Sequence, residues 1–289
     1  MPTDFLHLND LYIEEQLMIK QATADFVSSQ ILPTIEQDFA NETFPKSRFK
    51  AMGDLGLLGP FVEEKYGGIS ADFTTYGIIM QELEFGDSGL RSAASVQGSL
   101  VMYPIWAYGT EEQKMKYLPR LASGEWVGCF GLTEPDFGSN PNGMQTRLSN
   151  KNGQLVLNGS KLWITNAPFA DVAVVWAKND ENSIVGVLVE AGMDGFTTPT
   201  IHNKWSLRAS HTGELVFDNV VIPKSHILPK RTGLSAPLKC LDSARFGISW
   251  GVIGAAICCY ETAVKYSNER IQFGKLIGGF QLTQEKLAD

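Results

Sequence analysis

The sequence predicts an α+β chain whose helices and strands are segregated along its length rather than interleaved. Three observations carry this. Apolar residues recur at helical spacing through the first ~125 residues. From Trp126 to about Pro223, short β-prone runs alternate with turn residues. Beyond that lies a long apolar stretch rich in Ala and Gly, suited to a close-packed helix. The 289 residues give room for two or three domains. The boundaries read are 1–125 for an N-terminal helical domain, 126–236 for a central antiparallel β-barrel or sandwich, and 237–289 for the start of a C-terminal helical bundle.

Between Leu11 and Phe39 the apolar positions Leu17, Phe26, Ile31 and Ile35 predict a helix, with Pro33 as a kink or break. A short helix from Lys46 to Leu55 ends at Gly56, and KYGGIS reads as a turn. Helices follow over Asp72–Glu84 and Ser92–Ala107. Thr110, with Glu111 and Glu112 behind it, caps another that Gly124 closes. The runs LVLNGSKLWIT, DVAVVWAK, SIVGVLVE and GELVFDNVVI read as strands punctuated by Asn-Gly, Asp-Gly and Asp-Asn turns. LPKRTGLSAP reads as a connector into a long helix over Leu241–Ile271, and a last helix begins near Gln281. QLTQEKLAD carries no C-cap glycine, proline or polar tail, so the expectation is a chain that stops inside a helical bundle.

Composition excludes several function classes. A net charge of -8 offers no basic field for nucleic acid. The apolar and charged fractions, 44% and 19%, are those of a globular chain, and no apolar run reads as a membrane span. MPTDFLHLND has neither a basic n-region nor an apolar h-region, and it is not Arg-rich. The expected location is therefore the bacterial cytoplasm or, for a mature organellar form, the mitochondrial matrix. Cys129, Cys240, Cys258 and Cys259 lack metal or redox spacing, and the adjacent pair Cys258–Cys259 reads as buried helix packing. His7, His202, His211 and His226 are scattered, so no metal site is expected. GxGxxG, a Walker loop and GxSxG are all absent.

The densest cluster of chemistry-bearing residues is FGLTEPDFGSN, Phe130 to Asn140, followed by LWITN, Leu162 to Asn166. Its hydroxyls and backbone amides suit a polar ring and phosphates, and Trp163 offers a flat apolar face. By residue type alone, a surface turn beside a core tryptophan is an equal reading. The segment resembles the first flavin-binding motif of the acyl-CoA dehydrogenases. The resemblance continues through LWIT, NKWSLRASHTGELVFDNVVIP, LDSARFGISWG and RIQFGKLIGGFQ, and so covers the chain from about residue 10 onward. It implies FAD as cofactor, with Phe130, Leu132, Thr133, Gly138 and Ser139 in the loop over flavin and thioester. Trp163, Ile164 and Thr165 would lie beside the isoalloxazine and its N5, while Arg270, Phe273 and Gln281 would reach the FAD of a neighbouring subunit. Such loops usually carry a small residue where Phe137 stands and an aspartate where Asn140 stands.

ELEFGDSGLRSAASVQGSL, Glu82 to Leu100, resembles the glutaryl-CoA dehydrogenase segment that receives a distal carboxylate. That implies Arg91 and Ser92 as its ligands, with Ser95 nearby and Glu84 as the acidic partner of the arginine. A buried cation is costly unless paired, and a carboxylate-bearing acyl chain supplies a partner. Asp242 and Arg245 resemble CoA-edge residues, Phe246 and Gly247 would line the acyl cavity, and Ser139 would touch both ligands. Lys161 and Lys204 read as solvated strand-end lysines. The reaction implied is α,β-dehydrogenation of glutaryl-CoA to glutaconyl-CoA, ending there or continuing by loss of CO2 to crotonyl-CoA, within lysine and tryptophan degradation. An electron-transferring flavoprotein as acceptor and a homotetramer are implied too. The α-proton requires a carboxylate base, expected beyond Asp289, because Ala244 occupies the alternative position and Glu134 is structural in character. A dehydrogenase or oxidase for another short acyl-CoA and an inactive binding protein remain open.

Overall fold

The computed structural model describes Asp4 and residues 6–289. Helix α1 (Glu14–Phe26) runs into the π-helical turn Val27–Ile31, and Pro33 separates it from α2 (Ile35–Asn41). Leu17 is exposed rather than core, whereas Phe26 and Ile31 are buried. Helix α3 (Ser47–Asp54) gives way to Gly56, whose φ of 69° suits glycine at a helix exit. Asp72 caps α4 (Phe73–Gly86) by accepting from the Thr75 amide. The next helix starts earlier than periodicity predicts: Asp87 accepts from the Gly89 and Leu90 amides and opens α5 (Ser88–Ser95). That helix continues through a π-helical segment, Val96–Met102, into α6 (Tyr103–Tyr108). The Thr110–Gln113 capping box then opens α7 (Glu111–Ala122).

The strands are β1 (Gly128–Gly131), β2 (Arg147–Lys151), β3 (Gln154–Thr165), β4 (Val172–Lys178), β5 (Ile184–Glu190), β6 (Phe196–Thr197), β7 (Thr212–Ile222) and β8 (Ile227–Leu228). They form one sheet ordered β6-β7-β3-β2-β4-β5-β8, with β1 beside β4. The sheet is mixed rather than wholly antiparallel, because β1 runs parallel to β4 and β2 meets β4 in a parallel bridge. Strand β4 is buried on both faces. Val172, Val174 and Trp176 join the helical core, while Ala173, Val175 and Ala177 join the core inside the β domain. A run apolar at every position is what such a strand requires.

Helix α8 (Ser235–Ser267) begins six residues before the predicted start. Pro237 lies in its first turn, where a missing N–H is harmless. It also ends before Ile271. Arg270 leads instead into a hairpin of β9 (Ile271–Gln272) and β10 (Lys275–Leu276), and α9 (Gln281–Ala288) follows. Among the described residues α8 is the one helix long and apolar enough to cross a membrane by length and composition, with mean hydropathy 1.3. That corrects the reading that no segment qualifies. Its glycines pack tightly on α4: a Cβ at Gly247 would strike Tyr76, at Gly251 Glu84, and at Gly254 the Gln81 backbone, as suits a helix of the protein core. The other face leaves Ile248, Val252 and Ile253 exposed. Cys258 is half-exposed and Cys259 exposed, so the expected buried packing of that pair is not found.

Candidate active site

A cleft of about 430 Å³ opens between the β domain and the helices, a size within the usual range for small-molecule sites. Its walls are Phe130, Leu132, Thr133, Gly138 and Ser139 on one side and Trp163, Ile164 and Thr165 on another. Val96, Leu100, Leu238, Leu241 and Arg245 close it from the helices. The fold thus unites FGLTEPDFGSN and LWIT, thirty residues apart in sequence. A second cleft, of about 460 Å³, shares Trp163 and Thr165 and is bounded by the loop Ile201–Ser210.

Local backbone geometry sets each wall. The β3–β7 register slips between Lys161 and Ile164, and Trp163 takes a φ of 61° within that irregularity. A left-handed tryptophan is strained, and such bulges re-aim side chains. Here the indole is turned outward, 59% exposed. Asn166 is buried and donates from Nδ2 to the Ala93 and Gly128 carbonyls, tying the Thr165 turn to α5 and β1. Across the cleft, the Leu162 amide donates to the Thr133 carbonyl at 2.9 Å.

The loop is held from below by Glu134. Its carboxylate accepts from the Gln145 amide (2.6 Å), the Thr146 amide (3.0 Å) and Lys161 Nζ (2.8 Å). Desolvation raises its pKa, but these donors outweigh burial and leave it below the usual carboxylate range. Lys161 is wholly buried and also donates to the Leu132 carbonyl at 3.2 Å; burial pulls its pKa down to about 8. The solvated lysine expected at 161 is therefore a buried one. Bulges at 157/159 and 161/164 break the two-residue alternation that would have assigned its face. Lys204 is not solvated either: it is half-buried and donates to Leu207 O, Ser210 O and Thr212 Oγ1, bracing the second cleft. Phe137 is half-buried against Gly143, where a Cβ would collide with its ring. Asn140 is exposed and precedes a short turn of 3-10 helix.

Beneath the helical wall, Arg91 Nε donates to Glu84 Oε2 at 2.6 Å, both side chains being buried. Among the described residues Glu84 is the one side chain bonded to Arg91, so its two terminal nitrogens have no protein acceptor. Ser92 is half-buried and Ser95 buried. Neither of these serines, nor Arg91 or Glu84, lines the open cleft directly; they lie one layer deeper. Arg245 lines the cleft and pairs with exposed Asp242 at 3.1 Å. Phe246 stacks on Tyr76, with ring centroids 6.5 Å apart. Arg270, Phe273 and Gln281 do not join the cleft within this chain; all three are exposed, Phe273 by 94%. Sequence reasoning missed Tyr76, Ser99 and Ser243, which hydrogen-bond in the same buried layer. Serines and a tyrosine on apolar helices carry no signal until the helices are packed.

The set suits a flavin. Its walls are apolar, an indole face is half-free, and the hydroxyls of Thr133, Ser139 and Thr165 can meet a polar ring edge. The loop residues Gly138, Ser139 and Asn140 are exposed, and a Cβ at Gly138 would touch nothing closer than 4.0 Å.

Comparison with known proteins agrees with this geometry. Residues 13–125 match the family profile of the acyl-CoA dehydrogenase N-terminal domain, 129–220 the middle domain and 231–289 the C-terminal domain. A glutaryl-CoA dehydrogenase from Mycobacterium smegmatis, solved in complex with FADH2, superposes with a TM-score of 0.95 at 49% identity. The match covers 99% of this chain and 73% of that one. An acyl-CoA dehydrogenase of Bacillus subtilis is 37% identical over 281 residues, 96% of this chain and 74% of that protein. The mitochondrial isovaleryl-CoA dehydrogenase of Arabidopsis thaliana is 34% identical over 286 residues, 96% of this chain and 70% of that protein. Acyl-CoA dehydrogenases bind FAD, and two similar solved structures hold FADH2 or FAD. On the motifs, the fold and these matches together, the chain belongs to the acyl-CoA dehydrogenase family.

Proposed function

We propose that this protein carries out glutaryl-CoA dehydrogenation, removing the α-proton and β-hydride and then releasing CO2 to give crotonyl-CoA. The observation that carries the reading is Arg91: a buried residue anchored through Nε, with no acceptor for its terminal nitrogens among the described residues. A guanidinium edge of that kind fits a carboxylate bidentately, and a purely aliphatic acyl chain offers it nothing. The 49% identity to a glutaryl-CoA dehydrogenase over nearly the whole chain supports the same substrate.

FAD, when bound, supplies the hydride acceptor. The chain's own residues do the rest. Thr165 and Thr133 orient the ring through their hydroxyls, and Trp163 packs against it. Phe130, Leu132 and Ile164 keep water from the reacting carbons. Gly138 and Ser139 bring loop amides toward the thioester and the cofactor, and Arg245 meets CoA phosphates. Glu84 holds Arg91 in orientation through Nε while the distal carboxylate docks with Ser92 and Ser95. Arg270, Phe273 and Gln281 reach the FAD of a second subunit in a homotetramer, and electrons leave to an electron-transferring flavoprotein. Among the described residues no carboxylate lines the cleft, Glu134 is committed to Lys161 and two amides, and Ala244 offers none. In this reading the proton-abstracting base is the carboxylate expected beyond Asp289.

The absence of a lining carboxylate favours one competing reading, an acyl-CoA-binding protein without dehydrogenase activity. Anaerobic addition of glutaryl-CoA and butyryl-CoA to the FAD-loaded protein, with a base-bearing segment supplied, separates the two. Loss of the visible flavin band with glutaryl-CoA, and much less with butyryl-CoA, supports the proposal. A band that persists with both thioesters, in this chain and with a base-bearing segment supplied, points to binding alone.

A further inference from the structure

Behind the cleft wall, four hydroxyls are buried between α4, the helix 88–108 and α8. Tyr76 OH lies 3.2 Å from Ser95 Oγ and 2.7 Å from Ser99 Oγ, and Ser99 Oγ lies 3.4 Å from Ser243 Oγ. Tyr76 and Ser99 are fully buried, Ser95 is 4% exposed and Ser243 8%. Room for the tyrosine hydroxyl exists only because residue 247 is glycine, since a Cβ there would collide with it.

Proton counting leaves this cluster with one donor over. Four hydroxyls carry four protons, yet only three contacts join them, and none has a further acceptor among the described residues. One proton is therefore left without a partner inside the cluster, and burying an unsatisfied donor is costly. If Ser243 donates to Ser99, Ser99 to Tyr76 and Tyr76 to Ser95, the remaining proton sits on Ser95. Ser95 is on the same helix as Arg91, one turn along, and Ser95 and Ser99 each precede a cleft-lining residue, Val96 and Leu100. Burial raises the Tyr76 pKa, so it stays a phenol and a donor.

We propose that Tyr76, relayed from Ser243 through Ser99, is a positioning residue for acyl selectivity: it holds Ser95 so that the Ser95 hydroxyl donates to the distal carboxylate of a dicarboxylic acyl chain beside Arg91. A chain of aligned hydroxyls strengthens its terminal donor, and only a substrate ending in an acceptor benefits. The proposal rests on the glutaryl-CoA reading and adds residues that no direct contact would select.

The test is a pair of dissociation constants, for glutaryl-CoA and butyryl-CoA, measured by calorimetry on the FAD-loaded 289-residue chain and its variants. In Tyr76→Phe the preference for glutaryl-CoA falls about tenfold, the scale of one hydrogen bond to a charged group. Affinity for butyryl-CoA and for FAD stays unchanged. Ser99→Ala, which interrupts the same relay with a smaller loss of packing, falls in the same direction and carries the test alone if Tyr76→Phe does not fold. An unchanged preference in folded variants overturns the relay and leaves the glutaryl-CoA reading standing. Equal weakening of both thioesters reduces Tyr76 to a packing residue and also overturns it. A wild-type chain with no preference for glutaryl-CoA overturns the relay and the substrate reading together.

Discussion

Two buried ion pairs flank the cleft, Arg91–Glu84 among the helices and Lys161–Glu134 beneath the flavin loop, and they differ in what remains unsatisfied. Glu134 accepts three hydrogen bonds, and Lys161 ties it to the Leu132 carbonyl, so the pair fastens the loop and offers nothing outward. Arg91 uses one of its five donors on a protein side chain. Burial alone therefore does not separate a structural charge from a recognition charge. What separates these two is the donors that Arg91 leaves without a partner among the described residues.

The largest effects come from breaking the helical pair. In Arg91→Met, glutaryl-CoA affinity falls on the order of a hundredfold, as when a buried charge partner is removed, while FAD affinity holds. Glu84, left alone and 5% exposed, lowers stability by about 3–5 kcal/mol in urea unfolding. The double variant Glu84→Gln/Arg91→Met regains most of that stability and none of the glutaryl-CoA affinity. Recovery of both would place Arg91 with Lys161 as a structural cation and dissolve the contrast.

Lys161→Met gives the complementary pattern. Stability again falls by about 3–5 kcal/mol through the stranded Glu134, and FAD binding weakens because Leu132 and Thr133 lose their anchor. The ratio of glutaryl-CoA to butyryl-CoA affinity does not move. A shifted ratio in a folded Lys161→Met protein would mean that the two pairs communicate.

Gly251→Ala sharpens the comparison with a smaller change. The added methyl would collide with Glu84 Oε2 and approach Arg91 Nε to 3.2 Å, an overpacking worth about 1–3 kcal/mol. The expected outcome is a several-fold loss of glutaryl-CoA preference at unchanged FAD affinity. Gly233→Ala serves as the control for α8: it lies just before the helix and a Cβ there meets nothing within 4 Å, although its φ of 80° disfavours alanine.

The helical pair was legible in the sequence because Glu84 and Arg91 fall in a segment whose family resemblance names them. The cap at Thr110 was legible because side chain and amide lie within one turn. What escaped depends on distant packing. Lys161 sits in a strand with two register slips, so no local pattern tells which way it points. The start of α8 was hidden by Pro237, which reads as a connector residue and is equally at home in a first helical turn. The hydroxyls of Tyr76, Ser99 and Ser243 meet across three helices, the Ser99–Ser243 contact joining positions 144 apart.

The smallest effect separates the pairs by pH. Burial lowers the Lys161 pKa from 10.5 to about 8, with Glu134 opposing the shift. Below pH 8 folded and unfolded chains both hold that proton, and it contributes no slope. Between about 8 and 10.5 the unfolded chain binds the proton and the folded chain has shed it, so this group makes stability rise with pH. The urea midpoint of the wild type should therefore gain on that of Glu134→Gln/Lys161→Met as pH climbs from 8 to 10. A gap to that double variant that stays flat would mean that Lys161 keeps its proton, held by Glu134 more strongly than burial repels it, and that the two pairs differ in geometry but not in electrostatics.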